Sequence, residues 1–249
     1  MALEPWRTGT VIRIEDETYN TKRFFIKVNE LETFSFKPGQ FVTLDLPIHE
    51  KKNKRWRSYS IASWPDGTNV FELLIVLLED GAGTPYLFNQ VSVGSELTFR
   101  GPQGVFTLPE NIEKDLFFIC TGTGIAPFRS MLNCIHLHNI PHENIYLIFG
   151  CRTQNDLLYH EEMKALESTI EKFTYMPTLS REGWGGHKGY VHSLYEEICK
   201  KNNEACEDMQ NLKPASFYLC GWKAMIDDAR QKITTLGYDR KSVHLELYG

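Results

Sequence analysis

Three short segments carry residue types whose spacing could do chemistry. In Arg57-Ser58-Tyr59-Ser60 an arginine can grip a pyrophosphate through two parallel hydrogen bonds. A tyrosine two residues on, sharing one strand face with it, can stack on a flat ring, and the next hydroxyl can reach a ring nitrogen. Alone, the tetrapeptide also reads as a tyrosine packed on a barrel beside a surface arginine. Gly81-Ala82-Gly83-Thr84 stands at the head of a short helical pattern, where free N–H groups and the helix dipole favour a phosphate; its other reading is a plain glycine turn. Thr121-Gly122-Thr123-Gly124-Ile125-Ala126-Pro127 directly follows the apolar run Leu116–Cys120. Small residues there let a pyrophosphate approach the backbone at the carboxyl end of a parallel strand. Pro127 falls in the first turn of the helix that follows, where its missing N–H costs nothing. The spacing is not G-x-G-x-x-G.

Metal chemistry finds no support. The six cysteines, Cys120, Cys134, Cys151, Cys199, Cys206 and Cys220, form neither a C-x-x-C pair nor an iron–sulfur run. His136, His138 and His142 lack acidic or thiol companions, and residues two apart face different sides of a helix, so they read as a surface helix end. His160-Glu161-Glu162 lacks the second histidine of a zinc-protease helix. Any one-electron partner is therefore expected to be a separate protein.

The elements that position these segments change character along the chain. The first hundred residues read as short strands over Gly9–Ile14, Arg23–Val28, Gln40–Leu46, Arg57–Ser63, Val70–Leu78 and Glu96–Phe99, punctuated by turn residues, with one short helix over Gly83–Val91. Strands at that interval suggest a small closed barrel. Strands and helices then alternate. Strands are expected at Leu116–Cys120, Ile145–Phe149, Phe173–Pro177, Phe217–Leu219 and Val243–Leu247, and helices at Phe128–His138, Glu161–Ile170, His192–Lys201 and Lys223–Leu236. That order implies a doubly wound parallel sheet. The expected organisation is an antiparallel β-barrel over residues 1–108 followed by an α/β domain over 109–249.

Composition agrees with a globular chain: of 249 residues 42% are hydrophobic and 24% charged, enough apolar side chains to build a core. The longest strongly apolar run, Leu73–Leu78, is too short to cross a bilayer, and Glu4 and Arg7 interrupt the stretch where a signal peptide would be apolar. A cytoplasmic location is expected, with no membrane or nucleic-acid partner, since the net charge is -5. Lys51, Lys52, Lys54, Arg55 and Arg57 concentrate positive charge in this acidic chain, either as a docking patch for an acidic partner or as a solvated loop.

Taken in order, Arg57-Ser58-Tyr59-Ser60, Gly81-Ala82-Gly83-Thr84, Gly101-Pro102-Gln103-Gly104-Val105-Phe106, the Thr121–Pro127 segment and Cys220-Gly221 resemble the ferredoxin–NADP reductase family over nearly the whole chain. The resemblance implies an FAD-binding barrel, an NADP-binding α/β domain, and electron exchange with a ferredoxin or flavodoxin carrier; a monomer is expected. Position by position it implies that Arg57 and Ser58 meet the FAD pyrophosphate side, Tyr59 stacks on the isoalloxazine and Ser60 bonds flavin N5. Gly81, Gly83 and Thr84 would support the diphosphate. Thr121, Gly122, Thr123 and Gly124 would line the nucleotide path, with Cys220 near the nicotinamide. Glu246-Leu247-Tyr248 resembles the plant-type ending, a ring-covering tyrosine preceded by a glutamate that assists turnover, although here Gly249 follows.

Ser180-Arg181-Glu182 resembles a segment of NADP-using reductases. Ser180 and Arg181 would supply the hydroxyl and cation that a 2′-phosphate needs, with Arg152 and Lys188 as further charges, whereas Glu182 or Asp156 could instead serve an NADH ribose. Gly150-Cys151-Arg152, Asp156-Leu157-Leu158-Tyr159, Trp184 and Gly189-Tyr190-Val191 also resemble NADH-dependent oxygenase reductases. A flavin-binding electron-transfer subunit without its own turnover is the remaining alternative.

Overall fold

The computed structural model describes residues 4–204 and 212–248; Cys206 and Gly249 lie outside them. The chain separates into two compact units. The first comprises the residues up to Leu108 together with Ala126–Cys134, and the second holds Pro109–Ile125 and the chain from Ile135 onward.

The first unit is built on strands β1 (Trp6–Thr18), β2 (Thr21–Val28), β3 (Phe41–Asp45), β4 (Trp56–Ser60), β5 (Val70–Val76) and β6 (Glu96–Gln103), with helix α1 (Gly83–Asn89) between β5 and β6. The order is β4-β3-β6-β1-β2-β5, and every pairing is antiparallel. Just past β4, Ile61 bridges Leu73 of β5, and Ala62 N donates to Glu72 O at 2.8 Å, which joins the two edge strands and closes the barrel. Alternate side chains turn inward, and Phe24, Val42, Leu44, Phe71, Leu73 and Phe99 fill the interior. Phe34 packs on Phe71 at 5.1 Å and meets Phe99 edge-on.

Ala126–Cys134 contributes an arginine to this unit. Arg129, 4% exposed, donates through Nη1 to Ala62 O (3.0 Å) and to Glu72 Oε2 (2.9 Å), and Arg23 Nε meets the other Glu72 oxygen at 2.7 Å. A buried carboxylate is tolerated here because two guanidiniums neutralise it.

The second unit is a parallel sheet of β7 (Asp115–Thr121), β8 (Ile145–Cys151), β9 (Phe173–Leu179), β10 (His187–Lys188), β11 (Ala215–Trp222) and β12 (Val243–Tyr248). Its order is β10-β9-β8-β7-β11-β12. Helices α2 (Ala126–His138), α3 (His160–Thr169), α4 (Val191–Asn202) and α5 (Lys223–Thr235) connect the strands. Phe117, Ile119, Ile148, Phe217 and Leu219 are buried in its core, as expected of strands covered on both faces. Helix α2 stops where Asn139 turns left-handed (φ 47°) and returns its N–H to His136 O and Ile135 O. His136 and His138 form its basic last turn. No described helix is long and apolar enough to cross a membrane.

Candidate functional site

In the barrel unit the strand alternation of β4 sends Arg57 and Tyr59 to one side. Arg57 Nη1 is held by the carbonyls of Lys54 (3.1 Å) and Trp56 (2.8 Å), and no carboxylate pairs with it among the described residues. Its stem runs over Gly83 at the start of α1. A Cβ added at Gly83 would stand 3.1 Å from Arg57 Cγ and 3.2 Å from Nε, so the missing side chain lets the guanidinium lie against the head of the helix. A fixed, uncompensated guanidinium beside free backbone N–H groups fits a diphosphate. A shallow cavity of about 300 Å³ lies alongside, lined by Pro47, Ile48, Gly81, Ala82, Pro85 and Tyr86 among others.

Tyr59 packs on the barrel core, and burial pushes its phenol up to about 12 while the Arg57 charge pulls the other way. The ring is therefore neutral at physiological pH, suited to stacking. Ser60 is buried at 5% exposure. Ser58 Oγ lies 3.0 Å from Thr43 Oγ1, which also reaches Gln103 Oε1 at 3.3 Å, so the site strand is tied across β3 to the Gly101–Phe106 segment. The Thr84 hydroxyl donates to Leu78 O (3.2 Å) and accepts from Leu78 N (2.8 Å), closing the loop, which leaves the backbone N–H of Thr84 for a phosphate.

In the second unit the Thr121–Gly124 segment leaves β7 as a 3-10 turn (Gly122–Ile125) rather than entering α2 directly. Gly122 has φ 52°, which favours glycine. At Gly124 a Cβ would stand 2.3 Å from Cys220 O, so the loop presses on the end of β11. Gly221, at φ 154°, has the same relation to Thr121 Oγ1, 2.5 Å from where its Cβ would be. Parallel register sets Cys220 opposite Glu246 and Trp222 opposite Tyr248. Tyr248 OH donates to Thr123 O at 2.8 Å, which fastens β12 to the loop that follows β7. Cys220 has no exposed surface, and its Sγ donates to Glu246 Oε1 at 3.9 Å. Burial, reinforced by the Glu246 charge, drives this thiol well above its usual value, so it is a neutral donor and not a thiolate.

Arg152 and Arg181 come together beyond the carboxyl ends of β8 and β9. Ser180 N donates to Cys151 O (3.0 Å) and Arg181 N to Arg152 O (3.0 Å). Ser180 Oγ donates to Cys151 O at 3.1 Å, a further bond between the ends of the two strands. The two arginines are exposed and have no acidic partner among the described residues. Asp156 is engaged by Thr153 N and Oγ1, both at 2.9 Å. Glu182 is engaged by Gln154 N and Nε2, both at 2.8 Å. In the basic loop, Arg55 Nε pairs with Asp45 at 2.7 Å, which removes one charge from the expected patch; Lys51, Lys52 and Lys54 are exposed.

A closed barrel followed by a parallel sheet with a small-residue loop at its carboxyl edge is the two-part architecture of flavin and pyridine-nucleotide oxidoreductases, and the matches to known families agree. Residues 8–108 match the family model described as the oxidoreductase FAD-binding domain, and residues 118–231 the oxidoreductase NAD-binding domain. The chain is 36% identical over 221 residues to ferredoxin–NADP reductase B of Sorangium cellulosum, covering 87% of each. It is 34% identical over 202 residues to the electron transfer component of anthranilate 1,2-dioxygenase from Acinetobacter baylyi, covering 79% of this chain but 53% of that longer protein. A solved ferredoxin NADP+ reductase from Neisseria gonorrhoeae with bound FAD and NADP has the same fold, with a TM-score of 0.78 at 24% identity, covering 97% of this chain and 98% of that one. The chain belongs to the ferredoxin–NADP reductase superfamily, as a flavin oxidoreductase with FAD- and NAD(P)-binding domains.

Proposed function

We propose that this chain moves a hydride between NADPH and flavin N5 and exchanges single electrons with a separate ferredoxin- or flavodoxin-type carrier. The observation that carries the nucleotide assignment is the backbone stitching of Ser180 and Arg181 to Cys151 and Arg152. It brings two unpaired guanidiniums to the carboxyl edge of the parallel sheet, where nucleotides bind in open α/β folds. A 2′-phosphate distinguishes NADPH from NADH, and guanidiniums bind phosphate with charge-assisted, paired hydrogen bonds.

When bound, the flavin supplies both hydride and one-electron chemistry, and the protein positions and tunes it. In this reading Arg57 binds the pyrophosphate, with Gly81, Gly83 and the Thr84 N–H admitting it. Tyr59 stacks, and Ser60 serves the N5 side. Thr121, Gly122, Thr123 and Gly124 line the nucleotide path. Tyr248, anchored to Thr123, takes the covering role that the resemblance gives it. Cys220 and Glu246 hold a proton between them at the nicotinamide end. Lys51, Lys52 and Lys54 steer the acidic carrier.

A second reading, an NADH-dependent reductase of an oxygenase, is favoured by the likeness to the anthranilate dioxygenase component. Steady-state ferricyanide reduction with each nucleotide separates the two. A higher kcat/KM with NADPH supports the proposal; a preference for NADH selects the oxygenase reading.

A further inference from the structure

The two arginines that face solvent after β8 and β9 have two carboxylates for near neighbours in sequence, and neither carboxylate reaches them. Asp156 is consumed by the capping box of the short turn Gln154–Asp156, whose N-cap is Thr153. Glu182 directly follows Arg181, yet its carboxylate is held by the turn after β8. What holds it is Gln154, which gives one oxygen its backbone N–H and the other its side-chain amide, both at 2.8 Å. These hydrogen bonds hold the Glu182 carboxyl below the usual carboxylate range, so the group restrained is charged at neutral pH.

We propose that Gln154 is a positioning residue for nucleotide selection: its two-point grip on Glu182 keeps that carboxylate away from Arg152 and Arg181 and so leaves both guanidiniums to a phosphate. The inference rests on the NADPH reading above. The physical ground is competition. A free carboxylate beside an arginine makes a charge-assisted bidentate pair, occupying the donors a phosphate needs and placing negative charge where a second anion must sit. The same free carboxylate would accept a ribose 2′-hydroxyl, which is how an NADH site is commonly built. The grip on Glu182 thus sets the sign of the selection, although Gln154 carries no charge.

The test is titration calorimetry of the flavin-loaded protein with adenosine 2′,5′-bisphosphate and with 5′-AMP, two probes that differ at the 2′ position. The wild type should bind the bisphosphate roughly tenfold or more tightly than 5′-AMP, and Q154L should cut that ratio by roughly fivefold or more, the scale of one competing charge near a binding phosphate. The double variant Q154L/E182Q should restore the ratio, because residue 182, then held only by the backbone N–H of residue 154, is no longer charged. If Q154L leaves the ratio unchanged while R181A abolishes it, the NADPH reading stands and the role of Gln154 is overturned. A ratio lost in Q154L but not recovered in the double variant also overturns it, since a merely structural role would give that result. A wild-type protein that does not distinguish the probes defeats the nucleotide reading itself.

Discussion

Gly83 should govern flavin affinity through Arg57 and not through the helix it begins. A side chain at Gly83 would come within 3.1 Å of Arg57 Cγ and 3.2 Å of Nε, closer than carbon atoms settle without displacement. Both are middle atoms of the arginine, so the whole guanidinium must shift to relieve the contact. Gly83 does not use a positive φ, so valine there suffers no backbone strain, and replacing glycine inside a helix is neutral or slightly favourable to folding. The displaced guanidinium would lose alignment with the pyrophosphate. Loss of one hydrogen bond to a charged group costs about 1.5–3 kcal/mol, so Gly83→Val should weaken FAD binding roughly 10- to 150-fold. The apoprotein should unfold at an unchanged or slightly higher urea concentration. The assay is quenching of FAD fluorescence on titration into apoprotein, for Gly83→Val, Arg57→Ala and the double variant. Because both changes act on one contact, their costs should fail to add, and the valine should cost little once Arg57 is gone. Wild-type affinity in Gly83→Val, or two fully additive losses, would refute the reasoning.

Removing one member of the buried ion pair in the barrel unit, by Arg129→Met, should destabilise the protein by about 3–5 kcal/mol, read from urea unfolding. An unchanged midpoint would show Glu72 to be satisfied by Arg23 alone. Reversing the exposed charges in Lys52→Glu/Lys54→Glu should slow reduction of an acidic carrier at low salt and leave ferricyanide reduction unaltered, whereas Arg55→Glu should also lower stability through loss of the Asp45 pair. Burial raises the Cys120 and Cys220 thiols well above their usual value, so neither should be alkylated in the native protein at pH 8, as read by peptide mass mapping. The same shift means that the unfolded chain loses these protons first, near pH 8.5. Their contribution to stability is therefore complete below that pH and declines as pH rises above it, and a stability profile that climbs through pH 9–10 would contradict this.

What was legible in the sequence was whatever local pattern decides. Short runs of β-branched and aromatic residues between turn residues located the barrel strands, and buried apolar runs located the parallel ones, with ends displaced by a few residues. Strand β1 continues to Thr18 through Glu15, Asp16 and Glu17, polar residues that carry no strand signal; Glu15 and Asp16 pair with Arg23 and Lys22 of β2, and Glu17 falls at a shift of register. Strand β10 consists of His187 and Lys188, two exposed residues recruited by the edge of β9 and by no propensity of their own. The site motifs were legible because each is contiguous. The groups that hold them are not. Arg129 and Glu72 are 57 positions apart and Gln154 and Glu182 are 28 apart, so no window along the chain contains either pair. Assigning each charge to a loop counted Arg55 in the basic patch, although Asp45 on the neighbouring strand neutralises it.

In the second unit β12 is tied to the loop that follows β7. Tyr248 lies half-buried on the edge strand β12, and its hydroxyl is fixed to Thr123 O in the loop that follows β7. Two further contacts bear on that loop: Gly124 rests on the Cys220 carbonyl, and Gly221 admits the Thr121 side chain. On the proposed path along Thr121–Gly124, a nucleotide would work against the same tether that positions the ring. Tyr248→Phe therefore removes the tether but keeps the ring, whereas Tyr248→Ser removes both. If the ring competes with nicotinamide, Tyr248→Ser should tighten nucleotide binding and erode discrimination between NADPH and NADH. Tyr248→Phe should move binding in the same direction by less, since one neutral hydrogen bond contributes only about 0.5–1.5 kcal/mol. Equal affinities in all three proteins, with an unaltered flavin spectrum, would place the tyrosine outside nucleotide binding and leave the Thr123 bond as a structural fastening of β12.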